Sequence, residues 1–306
     1  MTCPTTRIVE HARGTASRRD LGVPRFLEVN SLKPSSGMET TGSQSVPAAD
    51  KAEVEAIIFL HIPKSAGTTL NRLIEWEYPL CQMYSVDPFF FKWSRDRLWR
   101  LPRQRLQKFR VFKGHMRFGL HKILPQPATY LTVMRAPIDR VISVFYFMRN
   151  YKLHPNYLKF RREKWTVEDF IKEPHTRDNI QCKMIAGVPY EQACTAEALV
   201  LAKSHLVQHF SVVGLTKRFE ESLALMKLRF AWELKSYSSF NITRARPKRR
   251  ELPQATLEGI AERNRFDVEL YEFAVKMFEE AIAKKAAEVD RIRRELEAAW
   301  ARVQVR

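Results

Sequence analysis

The chain has few cysteines and glycines and no long apolar run, and each shortage excludes a class of protein. Its 306 residues include four cysteines without a Cys-x-x-Cys pair or a metal-binding spacing, so reduced thiols are favoured over a disulfide framework. Ten glycines and 16 prolines exclude a collagen-like chain. No stretch reaches the roughly 18 apolar residues that a membrane-spanning helix needs. Because 45% of the residues are hydrophobic, a sizeable core is expected.

Acidic residues are scarce relative to basic ones. The sequence has 34 Asp and Glu against 52 Lys and Arg, which gives a net charge of +18. Such an excess is typical of proteins that meet anionic partners: nucleotides, nucleic acid, acidic glycans or an anionic membrane surface. A length of 306 residues allows one large domain or two small ones.

The first 52 residues differ in composition from the rest. They are rich in Ser, Thr, Gly and Pro and lack helical or strand periodicity, so 1–52 is predicted to be a disordered N-terminal tail. Its arginines also allow an organelle transit peptide, and Met38 is an alternative start of the chain. A folded domain is expected over 53–290, followed by a polar helical extension over 291–306.

Short apolar runs alternate with helical stretches along the folded part. This order is typical of a parallel sheet covered by helices, so the predicted class is α/β. Strands are predicted at 56–61, 110–113, 129–134 and 210–214, and helices at 68–78, 137–150, 166–169, 195–206, 219–230 and from 256 to the end. Beyond Lys284 the helix is mostly polar, and a solvated helix is favoured there over a coiled-coil partner site.

The loop between the first predicted strand and helix has the residues of a phosphate cradle. Backbone N–H groups at a helix start and the helix dipole attract anions. Lys64 adds a cation, and Ser65, Thr68 and Thr69 add hydroxyl donors. The order differs from a Walker A loop because Lys64 precedes Gly67. A polar turn without a ligand is the alternative.

Two further segments follow predicted strands, where ligands bind in open α/β sheets. Arg135 ends one strand and offers a planar fork suited to phosphate, and Ser143 lies two turns into the next helix. His115 follows another strand, and a neutral histidine there can take a proton from a hydroxyl. The alternatives are a structural Arg135–Asp139 pair and a structural histidine.

Together these segments resemble a known family. The stretches FLHIPKSAGTTL, KGHMRFGLH and VMRAPIDRVISVFYFMR are similar to motifs of sulfotransferases that use 3′-phosphoadenosine 5′-phosphosulfate (PAPS). The resemblance is to the branch with the heparan sulfate 2-O- and 6-O-sulfotransferases and many bacterial relatives, and it runs from about 56 to 285. It implies that 53–290 is a sulfotransferase domain with a P-loop-like parallel β-sheet flanked by helices and a long C-terminal helix.

The resemblance also implies roles for individual residues. Lys64 would contact the oxygen that bridges phosphate and sulfate, and Arg135 and Ser143 would hold the 3′-phosphate. His115 would be the general base, without a metal. Some relatives have a second histidine where this chain has Lys113, so Lys113 is expected to act through its charge alone. Beside Lys64, the 5′-phosphate would be held by the backbone of Ser65, Ala66, Gly67, Thr68 and Thr69, with the Thr68 and Thr69 hydroxyls.

The expected function is transfer of the sulfuryl group of PAPS to an acceptor hydroxyl of a carbohydrate, an anionic glycan included, with PAP as product. The in-line displacement would depend on positioning and charge stabilisation. In the family, the basic loop at 244–250 lies near the cofactor, so Arg246 or Lys248 would touch the 3′-phosphate. A cytoplasmic location is expected because the chain shows no N-terminal membrane helix.

A basic protein that binds nucleic acid or another polyanion without catalysis is the alternative. It is favoured by eleven basic residues and one acidic residue between 92 and 122, interleaved with aromatic side chains. No nucleic-acid-binding motif accompanies them, so nucleic acid is the less favoured partner. A nucleotide kinase is disfavoured because the Walker A order is absent.

Overall fold

The computed structural model describes residues 55–86, 96–172, 178–234 and 251–304. Within them a five-stranded, fully parallel sheet has the strand order β2-β3-β1-β4-β5. This sheet, covered by helices, confirms the predicted α/β class. The strands are β1 (Ala56–Leu60), β2 (Met83–Val86), β3 (Val111–Gly114), β4 (Ala128–Met134) and β5 (Phe210–Leu215).

The central strand β1 determines where the site lies. All five of its residues are buried, as expected for a strand covered on both faces. Ile57 pairs with Val111 of β3 on one side and with Thr129 of β4 on the other. Because the strands are parallel, β1, β3 and β4 deliver the residues that follow them to one edge of the sheet.

Helices follow the strands in the predicted alternation. Thr166 and Asp169 form the predicted capping box, in which the Thr166 hydroxyl accepts from the Asp169 N–H and the Asp169 carboxylate accepts from the Thr166 N–H. The α-helices are α1 (Gly67–Glu77), α2 (Arg103–Leu106), α3 (Pro137–Asn150), α4 (Tyr157–Arg162), α5 (Val167–Lys172), α6 (Ile180–Ala186), α7 (Ala196–His209), α8 (Phe219–Phe230), α9 (Gln254–Arg263), α10 (Arg265–Ala283) and α11 (Ala286–Gln304).

The buried side chains form two clusters. The larger one surrounds the sheet and includes the fully buried Phe59, Phe112 and Tyr130. The smaller one joins α3, α4, α5 and α9 through residues such as Phe145 and Phe160. Helix α3, which carries Ser143, is therefore held in place by its packing against α4, α5 and α9.

The last helix corrects an expectation. Val289, Ile292 and Leu296 are each at most 4% exposed and belong to the main core, where α11 contacts α8. Spacings of three and four residues place them on one face among charged neighbours. The solvated-helix prediction beyond Lys284 is therefore wrong for this face. The boundary at 290 stays a prediction.

Some predictions concern residues outside the described ranges. These are the N-terminal tail at 1–52, the basic loop with Arg246 and Lys248, and part of the 92–122 basic run. Within the described ranges, no helix combines the length and apolar character needed to cross a bilayer.

Candidate functional site

Three separate segments meet at the carboxyl edge of the sheet. The loop after β1 carries Lys64, the segment after β3 carries His115, and the segment after β4 carries Arg135. The Arg135 guanidinium donates to the Lys64 carbonyl oxygen at 2.9 Å. The His115 Nδ1 lies 2.7 Å from the carbonyl oxygen of His61 in the same loop. The loop therefore anchors both side chains through its own backbone.

The loop after β1 has an uncommon backbone. Lys64 and Ala66 have φ values of 68° and 57°, in the left-handed region that residues with side chains rarely adopt. The first turn of α1, all of it described, carries no acidic side chain that would repel an anion. Ser65 is 1% exposed, and its Oγ has no hydrogen-bond partner within the described residues. Thr69 is buried and Thr68 is exposed.

Gly67 is required by the packing of a histidine. A Cβ at this position would lie 1.7 Å from the His61 Nε2, well inside van der Waals contact. The His61 ring stacks on Phe59 at a centroid distance of 5.2 Å and lies 4.2 Å from the His115 ring. The absent side chain at 67 thus leaves space for the ring against which His115 packs.

The hydrogen bond of His115 determines the roles of its ring nitrogens. A carbonyl oxygen can only accept a hydrogen bond, so the His115 Nδ1 carries a proton and donates a hydrogen bond to the His61 carbonyl oxygen. In the neutral ring Nε2 is then the basic nitrogen. Burial lowers the pKa of His61 well below its usual value, and the charged form of His115 together with Lys113 and Lys64 lowers it further. His61 is therefore neutral near pH 7 and adds no charge beside His115.

The two lysines of the site have different surroundings. The Lys113 ammonium is buried and lies 2.6 Å from the Glu75 carboxylate of α1. The Lys64 ammonium lies 4.2 Å from the centroid of the Phe147 ring, a cation–π contact. Phe147 in turn stacks on Tyr151 at 5.1 Å. Lys64 thus reaches toward α3, whereas the positive charge of Lys113 is paired with the carboxylate of Glu75 on α1.

A buried network supports Arg135. The Gln181 side chain accepts from the Arg135 N–H at 3.1 Å and donates to the Arg135 carbonyl at 2.9 Å. Asp267 accepts the backbone N–H groups of Gln181 and Cys182 and lies 3.7 Å from the Arg140 guanidinium. Burial raises the pKa of Asp267, and Arg140 opposes that rise.

No motif in the sequence predicts a function for Gln181 or Asp267. Gln181 lies in DNIQCKMIAG and Asp267 in NRFDVELYEFA, both within the part of the sequence, about 56 to 285, over which the family resemblance runs. Ser143 is 3% exposed on α3. Within the described residues, no group of three or more His, Cys, Asp or Glu side chains is arranged to hold a metal ion.

Several sulfotransferases are similar to this chain. The heparan sulfate 2-O-sulfotransferase hst-2 of Caenorhabditis elegans is 26% identical over 85% of this chain and 86% of the relative. Galactose-3-O-sulfotransferase 3 of Mus musculus is 25% identical over 83% of this chain, which spans 63% of that relative. The structure of mouse sulfotransferase SULT7A1 complexed with PAP matches 71% of this chain and 66% of that one, with 16% identity and a weak TM-score of 0.35.

The expected cytoplasmic location is wrong by this comparison. The similar heparan sulfate and galactose-3-O-sulfotransferases are Golgi enzymes. The expectation rested on a missing membrane helix, and such an absence does not determine a compartment.

A family model covers nearly the whole chain. The model described as galactose-3-O-sulfotransferase matches residues 27–305, which include every segment of the site. The match confirms the sulfotransferase activity expected from the motifs, with PAPS as the sulfuryl donor of this enzyme class. The chain belongs to the galactose-3-O-sulfotransferase family.

Proposed function

We propose that this sulfotransferase acts on a hydroxyl of an anionic carbohydrate, with His115 as general base and Lys64 beside the departing phosphate. The observation that carries the proposal is the attachment of both His115 and Arg135 to the backbone of one loop. A base, a cation and a guanidinium are thereby held around the start of α1. PAPS, when bound, supplies the sulfuryl group and a phosphate leaving group.

The residues of the loop fit a phosphosulfate. The buried Ser65 Oγ has no partner among the described residues, so a bound oxyanion would satisfy it. The left-handed Lys64 and Ala66 are outliers of the kind that cluster at ligand sites. The N–H groups at the start of α1, with Gly67, Thr68 and Thr69, would add further donors.

His115 is suited to take the acceptor proton. Its Nδ1–H is held by the His61 carbonyl, which orients Nε2 and stabilises the imidazolium once it forms. The neutral His61 beside it does not oppose that charge. Lys64 would stabilise the negative charge that develops on the leaving phosphate.

Arg135 and Ser143 would bind the 3′-phosphate that distinguishes PAPS from other adenine nucleotides. A guanidinium recognises a phosphate by two parallel hydrogen bonds. Gln181 positions the Arg135 backbone from both its N–H and its carbonyl. Replacing the Arg135 guanidinium should therefore weaken the binding of nucleotides that carry a 3′-phosphate.

The acceptor proposal rests on charge and on the names of the relatives. Five basic residues lie exposed on the segment that precedes β3: Arg97, Arg100, Arg103, Arg105 and Lys108. They would attract a uronic acid or sulfated sugar. The similar hst-2 is named for heparan sulfate. Phe147, which is 36% exposed, adds apolar surface beside Lys64.

Calorimetric titration with PAP and AMP tests the nucleotide site. We expect PAP to bind more tightly than AMP, which lacks the 3′-phosphate. Arg135→Lys should weaken PAP by about 10–100-fold, since a hydrogen bond to a charged group contributes about 1.5–3 kcal/mol. AMP affinity should fall less, because AMP lacks the 3′-phosphate and would sense only the lost hydrogen bond from Arg135 to the Lys64 carbonyl. The control is Arg72→Lys, an exposed arginine of α1. Equal affinities of PAP and AMP for the unaltered protein would refute the 3′-phosphate assignment.

A further inference from the structure

Two thiols lie together behind the Arg135 support. Cys182 is fully buried in α6, and Cys194 is partly exposed just before the first residues of α7. Helices α6 and α7 pack against each other, and the two thiols lie close enough for each to shift the pKa of the other. The three cysteines within the described ranges are in the thiol form. None of the nucleotide or base roles proposed above uses this pair.

Cys194 is accessible through a cavity with basic walls. The cavity has a volume of about 260 Å³, opens to solvent and is lined by Cys194, Lys183, Arg263 and Arg265. Asp178 also lines it, but its carboxylate is paired with the Arg263 guanidinium at 2.8 Å. An anionic small molecule would thus meet the exposed Arg265 next to the sulfur, while the buried Lys183, which donates to the Tyr190 carbonyl oxygen, adds its charge to the wall.

The surroundings favour a thiolate on Cys194. The hydrogen bond from Cys182 lowers the pKa of Cys194, and Lys183 and Arg265 lower it further, while burial and Asp267 oppose this. Thr195 is the N-cap of the 14-residue helix α7, so Cys194 also lies near the positive end of that helix. Cys182 has the opposite tendency, because the hydrogen bond to Cys194 and burial raise its pKa.

We propose that Cys194 and Cys182 form a redox-active dithiol, with Cys194 as the attacking thiol, Cys182 as the resolving thiol, and small anionic disulfides such as oxidised glutathione as the oxidant. The Cys194 thiolate attacks one sulfur of the small disulfide, forms a mixed disulfide and expels a thiolate. Cys182 gives its proton to that thiolate, attacks the Cys194 sulfur and expels the second thiolate. Two protein thiols are oxidised, and one small disulfide is reduced to two thiols.

The second step follows from the first. Formation of the mixed disulfide removes the negative charge and the hydrogen-bond acceptor that held the proton on Cys182. The new bond would tie α6 to the segment that enters α7. Cys182 follows Gln181 directly, and its own N–H is bound by Asp267. Oxidation would therefore restrict the movement of α6, the helix whose Gln181 binds the Arg135 backbone.

Mass spectrometry of the full chain tests the pair. In a Cys3→Ser, Cys81→Ser background, oxidised glutathione should remove two hydrogen atoms and leave a Cys182–Cys194 crosslink without an adduct. Adding Cys182→Ser should instead leave a stable glutathione adduct on Cys194. Adding Cys194→Ser should leave Cys182 unmodified, because the buried thiol lacks access to the oxidant.

Rates provide the second readout. In single-thiol variants at pH 7, we expect Cys194 to react with a disulfide reagent about tenfold faster than the exposed Cys81. Thermal melts under reducing conditions identify any serine variant that fails to fold, and Cys182→Ala then replaces it. An adduct that persists when both thiols are present, or a Cys194 rate no higher than that of Cys81, would overturn the proposal.

Discussion

Two groups of histidines in this protein differ in their surroundings, and the difference indicates which group has a catalytic role and which a structural one. At the sheet edge, the His115 ring is held by a loop carbonyl, and its neighbour His61 is stacked on Phe59. The other group lies near the opposite part of β4, around Tyr130 and Phe118. It comprises His121, His205 and His209.

The second group is bound to structural partners. The Tyr130 hydroxyl accepts the N–H groups of Gly119 and His121, so its proton is donated to the His121 Nδ1 at 2.9 Å. Burial raises the pKa of Tyr130 to about 12. His205 stacks on the Phe118 ring at a centroid distance of 3.7 Å. His205 also lies against a backbone carbonyl, that of Ile185, so what distinguishes His115 is its place on the loop of the proposed anion site.

The largest effect is expected from a substitution at His115, which tests the proposed difference between the two groups of histidines. His115→Gln should lower turnover by about 10²–10⁴-fold, since a positioned base contributes about that factor. Its affinity for PAP should change little, because the 5′- and 3′-phosphate contacts remain. Turnover is measured as PAP released from PAPS with desulfated heparin or a galactose-terminated oligosaccharide, whichever the unaltered enzyme sulfates.

The matched control for that experiment is His121→Gln. This change removes the hydrogen bond to Tyr130 but leaves the sheet edge intact, so it should reduce stability and preserve turnover of the folded enzyme. If His115→Gln retained full turnover, or if both variants lost the same fraction of it, the base would lie elsewhere.

A smaller effect is expected at Gly67. Gly67→Ala places a methyl group against the His61 ring, and overpacking typically costs about 1–3 kcal/mol of unfolding free energy. The displaced ring should also disturb His115, so turnover should fall. The control is Gly259→Ala in α9, where the new Cβ would lie 3.1 Å from the terminal carbon of the Ile171 side chain. Equal melting temperatures for the two variants would contradict the packing argument.

Local patterns predicted much of the fold and the order of the site segments. Four of the five strands were predicted because each is an apolar run with recognisable ends. The edge strand β2 was missed, since it has four residues and two of them are not buried. The buried face of α11 was missed because its three apolar positions lie among charges. The spacing of apolar residues in a sequence does not reveal which face of a helix packs against another helix.

The Gln181–Asp267 support could not be derived from spacing. It joins positions more than 80 residues apart, and neither side chain differs locally from an ordinary polar residue. Only the folded chain brings the Arg135 backbone, the α6 start and α10 together. The thiol pair was hidden for a similar reason, because Cys182 and Cys194 lack the spacing of a known motif.

The smallest expected effect concerns pH. Burial is the main cause that lowers the pKa values of His121 and His205 below the ordinary 6.5. As pH falls below 6.5, the unfolded chain therefore binds protons that the folded chain does not, so the stability present at pH 8 is progressively lost. Melting temperatures from pH 8 to 5 should decline, and His121→Gln should make the decline shallower. An unchanged slope in His121→Gln would mean that burial of this histidine does not couple folding to pH.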